Sequence, residues 1–406
     1  MKDTRTILHI DLDSFFVSCE RLLDSRLNNR PVLVGGTSSR GVVASCSYET
    51  RVFGVHSGMP MKMAKELCPE AVVIHGNSGI YSKYSDVITD IIKESAPLYE
   101  KSSIDEFYVD LSGMDKFFGS IQWSHELRSR IGKETGLPTS FGLSINKTVA
   151  KVGTNEAKPN NFRNIPVGTE REFLAPLSVR KIPMVGEKTY FFLRSMGLRK
   201  IKTVQEMPKE LIQKALGQNG LNLWYKANAI DNSPVVSYHE RKSISLERTF
   251  ERDTADLTKL KSLIIAMTES LAYQLRKGNK LTSCVSIKIR YADFSTHSKQ
   301  ARISYTSSDH SLINRVTELF EKLHQRRLMI RLVGVRFSHL VEGGYQINLL
   351  EDTEELINLY HAMDKIRNRF GQDAVKRAIG VGSRGIGPMS NPFNGQPPVI
   401  PAHRRS

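Results

Sequence analysis

Cysteine is scarce. Four residues of 406 are cysteine (Cys19, Cys46, Cys68 and Cys284), and no two form a CxxC pair. A disulfide framework is excluded, and nothing suggests a zinc site. Long apolar runs are missing too: none approaches the roughly 20 residues a membrane helix needs. The opening stretch, MKDTRTILHIDLDS, is too poor in apolar residues for a secretory signal. A cytoplasmic protein with no membrane partner is expected. Negative charge is also short, with 42 Asp+Glu against 58 Lys+Arg and a formal net charge of +16. That imbalance points to a polyanionic partner, nucleic acid first. A hydrophobic fraction of 40% with 25% charged residues is globular rather than collagen-like or disordered. The length implies two to four domains.

Residues 6–12 (TILHIDL) read as a short buried strand, and SFFVSCERLLDSRL after it reads as helical. PVLVGG (31–36) and GVVASCSY (41–48) are β-rich runs separated by a Gly/Ser turn. Residues 57–68 look helical, 71–76 extended, and 80–95 helical again. LYEKSSIDEFYVDLSG (98–113) reads as a hairpin, before a helix near 116–132 and a strand at 139–145. This order suits an α+β sandwich with helices on one sheet face. Residues 167–233 read as mostly helical, and IDNSPVVSYHERKS as a linker.

Residues 241–343 repeat the earlier order of strands and helices. Their strand CVSIKIRY puts Val285, Ile287, Ile289 and Tyr291 on one face and Ser286, Lys288 and Arg290 on the other. Over 241–343 there are 19 Lys+Arg and 10 Asp+Glu, a net of +9. A basic sheet face suits sequence-independent, salt-sensitive contact with a nucleic-acid backbone. From 345 a short amphipathic helix (about 353–370) precedes a Gly/Pro/Asn/Ser-rich tail, whose last ~25 residues are expected to be disordered.

The informative residues are acidic. IDLD leaves Asp11 and Asp13 two apart at the end of a buried strand, and Asp105-Glu106 sits similarly in the hairpin. Charge at the end of an apolar strand is expensive unless it binds something. If the strands are neighbours, Asp11, Asp105 and Glu106 converge with no obvious cationic partner. Such a set suits Mg²⁺ shared with phosphate oxygens, and two such ions suit in-line phosphoryl displacement. Tyr48 and Arg51 lie three apart, on one face of a helical turn, and an Arg can fork onto phosphate oxygens.

The segments HIDLDSFF, SYETRVFGVHSGMP, SIDEFYVDLSG, SINKTVAKVGTNEAKPNN and KIPMVGEKT, in this order and spacing, resemble the Y-family of translesion DNA polymerases. The resemblance covers residues 5 to about 340 and is nearest to the bacterial DNA polymerase IV type. It implies a right-hand α+β fold: a ferredoxin-like palm (1–11 and 78–166), small fingers (12–77) and a helical thumb (167–233) with a helix-hairpin-helix at 181–198. A linker (234–241), a βαββαβ little finger (242–343) and a C-terminal tail (344–406) follow. It implies a low-fidelity, template-directed DNA polymerase without proofreading exonuclease, working as a monomer on primer-template DNA with dNTPs.

By the same resemblance, Asp11, Asp105 and Glu106, with the Leu12 backbone carbonyl, hold two Mg²⁺ ions, and Glu106 is the active-site residue. Asp13 supports them. Phe16 is the steric gate against a 2′-hydroxyl, while Phe15 belongs to the core. Ser45, Tyr48, Arg51 and Lys158 bind the incoming nucleotide. Lys188, Lys288, Arg290, Arg331 and Arg336 contact DNA. Gln346, Leu349 and Leu350 resemble a sliding-clamp-binding peptide. Three residues depart from the pattern: Val52 where Lys is common, Phe107 where a small residue is common, and Met184 where glycine is usual. Methionine does not take positive φ as readily as glycine, which puts a phosphate contact at that turn in question. A polymerase V catalytic-subunit type and an inactive DNA-binding member of the family are the rival readings.

Overall fold

The computed structural model describes residues 5–38, 40–114, 119–343 and 354–380. The chain divides between His239 and Glu240 into two compact units.

The first unit is organised by the strand Ile7–Leu12, all six residues of which are buried. It lies at the centre of a five-stranded sheet, ordered Tyr99–Lys101, Glu106–Asp110, Ile7–Leu12, Thr139–Ser144, Phe162–Asn164. Alternation along the central strand separates two rows. Leu8, Ile10 and Leu12 join the main core with Ile88, Ile92, Leu127 and Ile131 of the helices Ser78–Ser95 and Ser120–Thr135. Ile7, His9 and Asp11 form the other row. There Ile7 packs on Ala150, and His9 Nδ1 is 2.8 Å from Thr154 Oγ1, both on helix Lys147–Ala157. Helices therefore cover both faces of the sheet, not one as expected. The physical reason is that a strand buried on both sides needs cover on both. Gly142 permits the close approach: a Cβ there would lie 2.2 Å from the Ala150 carbonyl oxygen.

A three-stranded sheet, ordered Val43–Cys46, Val32–Gly35, Val72–Ile74, packs on helix Met61–Leu67 through Leu33, Val43, Met61 and Ala64. All four cysteines are buried and unpaired. Short helices between Glu170 and Ala227 close on Leu174, Leu193, Ile201, Ile212 and Leu223.

The stretch read as a linker is fastened down along its first part. The side-chain amide of Asn146 donates to the Ala229 carbonyl (2.8 Å), and Lys147 Nζ to that of Pro234 (3.1 Å). Thr148 donates to Asp231 Oδ2 from both its backbone N–H (3.1 Å) and its hydroxyl (2.7 Å). Arg5 donates to the carbonyls of Asp231 and Ser233, and the Val236 N–H to Glu100 Oε2 (2.8 Å). Val235 is buried with Ile7, Tyr108 and Ala150. A carboxylate at the N-terminus of helix Lys147–Ala157 also meets the positive end of its dipole.

Burial alone would raise the Asp231 carboxyl, but hydrogen bonds from Ser233 and Thr148 hold it below the usual carboxylate range. Asp231→Asn is therefore expected to cost about 1–2 kcal/mol at neutral pH. A carboxyl depressed in the folded state stabilises above its unfolded pKa, and that stability is lost as pH falls through the depressed value. The gap to wild type in urea unfolding should thus close below pH about 4; a gap that does not change with pH contradicts this.

In the second unit a four-stranded sheet, ordered Thr296–Thr306, Lys280–Tyr291, Ile330–Glu342, Ser243–Thr254, carries helices Leu257–Lys277 and Asp309–Leu323 on one face. Val285, Ile287, Ile289 and Tyr291 face that core, as the alternation implies. Helix Glu354–Phe370 joins the same layer. Its Tyr360 is fully buried, with its hydroxyl 2.5 Å from His310 Nδ1. Arg276 links helix to helix: its guanidinium donates to Asp309 Oδ1 (2.6 Å), to Asp364 Oδ2 and Oδ1 (2.6 and 3.0 Å) and to the Ser307 carbonyl (2.9 Å). The expected disorder of the last ~25 residues falls outside the described residues.

Candidate active site

Asp11 ends the row Ile7–His9–Asp11 and is paired in register with Glu106 on the neighbouring antiparallel strand. The Leu12 N–H donates to the Asp105 carbonyl (3.0 Å), so Asp105 is set beside the pair. The Ser103 hydroxyl braces the turn: it donates to Asp105 Oδ1 and accepts from the Glu106 N–H (2.9 Å). Leu12 is buried between Asp11 and Asp13, where the strand ends.

The electrostatics follow from this crowding. Burial raises the Asp11 carboxyl, and the Asp105 and Glu106 carboxylates push it the same way, against Lys158. Burial likewise raises Asp105, with Glu106 adding to it. Burial would raise Glu106 too, but the His9 ring and the Lys151 ammonium bring it below the usual range.

The expectation that these carboxylates lack cationic partners is wrong. Lys158 Nζ lies 2.5 Å from Asp11 Oδ1, and Lys151 Nζ lies 2.6 Å from Glu106 Oε2. Lys158, assigned from the sequence to the nucleotide, is thus placed on a carboxylate. Lys151 was not singled out at all, although a signal existed. Lys147, Lys151 and Lys158 are spaced four and seven apart, which puts them on one helical face. Among the described residues, no three His, Cys, Asp or Glu side chains form a cage that would hold a metal ion by protein ligands alone.

Asp13 is a hub rather than a free carboxylate. It accepts from the Tyr48 hydroxyl (3.0 Å), the Ser140 hydroxyl (2.7 Å) and the Asn160 N–H (2.7 Å). Tyr48 and Arg51 do share one helical turn, Tyr48–Arg51, and the Arg51 guanidinium lies 4.4 Å from the Tyr48 ring centroid. Arg51 also donates to the Ser14 hydroxyl (3.2 Å). Ser45 is buried on the strand Val43–Cys46. Phe15 is core, whereas Phe16 is half-buried and stacks on Tyr81 with centroids 4.4 Å apart. Phe107 is also core: it pairs with Ile10 and Lys101, and the Lys101 ammonium sits 5.8 Å from its ring centroid. Val52 is exposed.

The turn at Met184 departs from expectation. Met184 holds φ at 81° and points to solvent, so the backbone keeps a left-handed shape despite the Cβ. Such a residue carries strain on the order of 1–3 kcal/mol. Lys188 is exposed in the first turn of the helix Glu187–Ser195 that follows.

On the polar sheet face of the second unit, Arg336 lies opposite Ser245 and Ser286 on the neighbouring strands. An open groove of about 610 Å³ runs over these residues and Lys299. Lys288 is not a free cation, because Glu247 pairs with it at 2.6 Å. Arg290 donates to Thr296 Oγ1 (2.9 Å), and the Arg331 guanidinium lies 4.5 Å from the Phe294 ring centroid. Gln346, Leu349 and Leu350 lie outside the described residues.

Residues 10–155 match the impB/mucB/samB family, and residues 241–349 match the C-terminal domain of that family. Curated relatives named DNA polymerase IV include one from Dehalococcoides mccartyi, 37% identical over 382 residues, covering 92% of this chain and 96% of the relative. Another, from Opitutus terrae, is 34% identical, covering 91% of this chain and 95% of the relative. Among solved structures, a chimera of the Y-family DNA polymerases Dbh and Dpo4 superposes with a TM-score of 0.73 at 23% identity, covering 83% of this chain and 100% of that one. The insertion ternary complex of Dbh DNA polymerase gives a TM-score of 0.61 at 22% identity with the same coverage. These likenesses favour the polymerase IV type over the polymerase V catalytic-subunit type. The chain belongs to the Y-family of DNA polymerases, of the DNA polymerase IV type.

Proposed function

We propose that this chain is a low-fidelity, template-directed DNA polymerase that adds deoxynucleotides to a primer 3′-hydroxyl across damaged template. The observation that carries this reading is the cross-strand pair of Asp11 and Glu106 beside Asp105, with Asp11 buried, the other two part-buried, and both pushing the Asp11 carboxyl up. Clustered carboxylates fit a hard divalent cation, with the remaining ligands drawn from phosphate oxygens. Asp11, Asp105, Glu106 and the Leu12 carbonyl would hold two Mg²⁺ ions. When bound, the ions lower the pKa of the primer 3′-hydroxyl and neutralise the triphosphate and leaving pyrophosphate.

The chain's own residues supply position. Ser103 fixes the turn that carries Asp105 and Glu106. Asp13 orients Tyr48, and Ser14 engages Arg51, so that the Tyr48 and Arg51 side chains with Ser45 and Lys158 can take the triphosphate. Phe16, backed by Tyr81, closes the space below the sugar. In this reading residues 1–11 and 78–166 are palm, 12–77 fingers, 167–233 thumb, 234–241 linker and 242–343 little finger. Lys188, Arg290, Arg331 and Arg336 would then follow the DNA backbone, with Lys288 joining them at the expense of its Glu247 pair.

The chain is read as a cytoplasmic monomer; among the described residues no helix is long and apolar enough to cross a membrane. Purified protein with Mg²⁺, primer-template and dNTPs should extend the primer alone; a requirement for accessory subunits would contradict the polymerase IV reading. Phe16→Ala should accept ribonucleotides, with discrimination falling at least tenfold in kcat/KM. Unchanged discrimination would place the gate elsewhere. Gln346, Leu349 and Leu350 are read as a sliding-clamp peptide. Deleting residues 346–350 should remove stimulation by the clamp and leave clamp-free extension intact; retained stimulation would dismiss the peptide.

A further inference from the structure

Lys158 and Lys151 take the carboxylate oxygens that a hard cation would need. Lys158 Nζ stands 2.5 Å from Asp11 Oδ1, and Lys151 Nζ 2.6 Å from Glu106 Oε2. The two carboxylates are partners across adjacent strands, and both lysines come from one element, helix Lys147–Ala157 and the residue that caps it. Helix and strand are closely joined. Gly142 lets the helix sit directly on the sheet, and Thr154 ties it to both the ring and the carbonyl of His9. The lysines reach the carboxylates only through flexible four-carbon stems, so an ammonium can withdraw without moving helix or strand.

Resting on the reading of this site as a polymerase centre, we propose that Lys151 and Lys158 are built-in counter-ions that compete with divalent cations for Glu106 and Asp11. Buried carboxylates without counter-charge would repel one another and destabilise the sheet end, and the lysines remove that cost. A cation binding at the same oxygens must displace them. For Lys158 the displaced ammonium becomes available to a nucleotide phosphate. Nucleotide and cation thus favour the same withdrawn position, and by linkage each raises affinity for the other. Lys151 has no such second partner in view and acts on Glu106 alone; it is a positioning residue.

The sign is opposite to that of an ordinary structural salt bridge. Removing a positive charge from a ligand oxygen should tighten cation binding. Mn²⁺, followed by electron paramagnetic resonance on the full chain without DNA or nucleotide, is the probe. Lys158→Met and Lys151→Met should each bind Mn²⁺ about tenfold more tightly than wild type, while Lys158→Arg, which keeps the charge, should match wild type. Both Met variants should melt below wild type in chelator and gain more in Tm from Mn²⁺ than wild type does. Unchanged or weaker Mn²⁺ binding in both Met variants overturns the proposal. Asp11→Asn and Glu106→Gln separate the two levels. If they abolish Mn²⁺ binding while the Met variants leave it unchanged, only the counter-ion inference falls. If they leave it intact, the reading of the site falls with it.

Discussion

Asp105→Ala and Glu106→Gln are each expected to lower kcat for primer extension on the order of 10³-fold, with DNA affinity unchanged within about twofold. The carboxylates sit at the ends of strands whose pairing does not depend on their side chains: Asp11 pairs with Glu106 and with Ser140 through backbone groups. The fold should therefore survive either substitution. For Asp105→Ala, relief of repulsion should even steady the sheet end, since Asp105 pushes the Asp11 carboxyl up after burial; Glu106→Gln gives up the Lys151 pair, a small loss at a part-exposed site. A rate loss without loss of Tm or DNA binding is the signature of a group acting on the reacting phosphate rather than on the fold. Single-turnover extension at saturating nucleotide, with melting and DNA-binding curves on the same preparations, reads all three.

Arg276→Met is expected to destabilise the second unit by about 3–5 kcal/mol. Asp309 is fully buried and Asp364 part-buried, and Arg276 donates to both. Taking away the guanidinium leaves the Asp309 carboxylate desolvated and uncompensated and weakens the hold on Asp364, which costs more than the ion pair contributes. Arg367 is a weaker second partner for Asp364, at 3.4 Å, and does not reach Asp309 in its place. Helix Glu354–Phe370 should loosen first, because Asp364 and Tyr360 are its moorings. Denaturant unfolding together with limited proteolysis between residues 354 and 380 checks this; a stability loss below about 1 kcal/mol would show the network to be incidental. Replacing Arg276, Asp309 and Asp364 together by apolar residues should cost far less than Arg276→Met alone, since no charge is then left unpaired.

Local chemistry was legible in the sequence where neighbours along the chain decide it. TILHIDL had to be a buried strand, CVSIKIRY had to alternate, and Tyr48 and Arg51 had to share a turn; all three hold. The convergence of Asp11 with Asp105-Glu106 was readable only on the condition that their strands are neighbours, which the register meets. What stayed hidden depends on partners distant in sequence. The lysines on Asp11 and Glu106 come from a helix whose facing is set by how closely it can approach Gly142. The linker looked free because its polar residues gave no sign that Asn146, Lys147 and Thr148 would grip it. Asp309 and Asp364 lie 33 and 88 residues from Arg276. The family-matched regions also stop at 349, before helix Glu354–Phe370 begins. Met184 shows the opposite failure: the residue type argued against positive φ, and the backbone takes it nonetheless.

Asp11, Asp105 and Glu106 are proposed as the cation-dependent centre of a DNA polymerase. The most direct test is Mg²⁺-dependent primer extension by the purified full chain beside its Asp105→Ala variant, with primer-template affinity measured for both. Extension by the wild type alone, with equal DNA binding, is the expected result. Normal extension by Asp105→Ala would contradict the account.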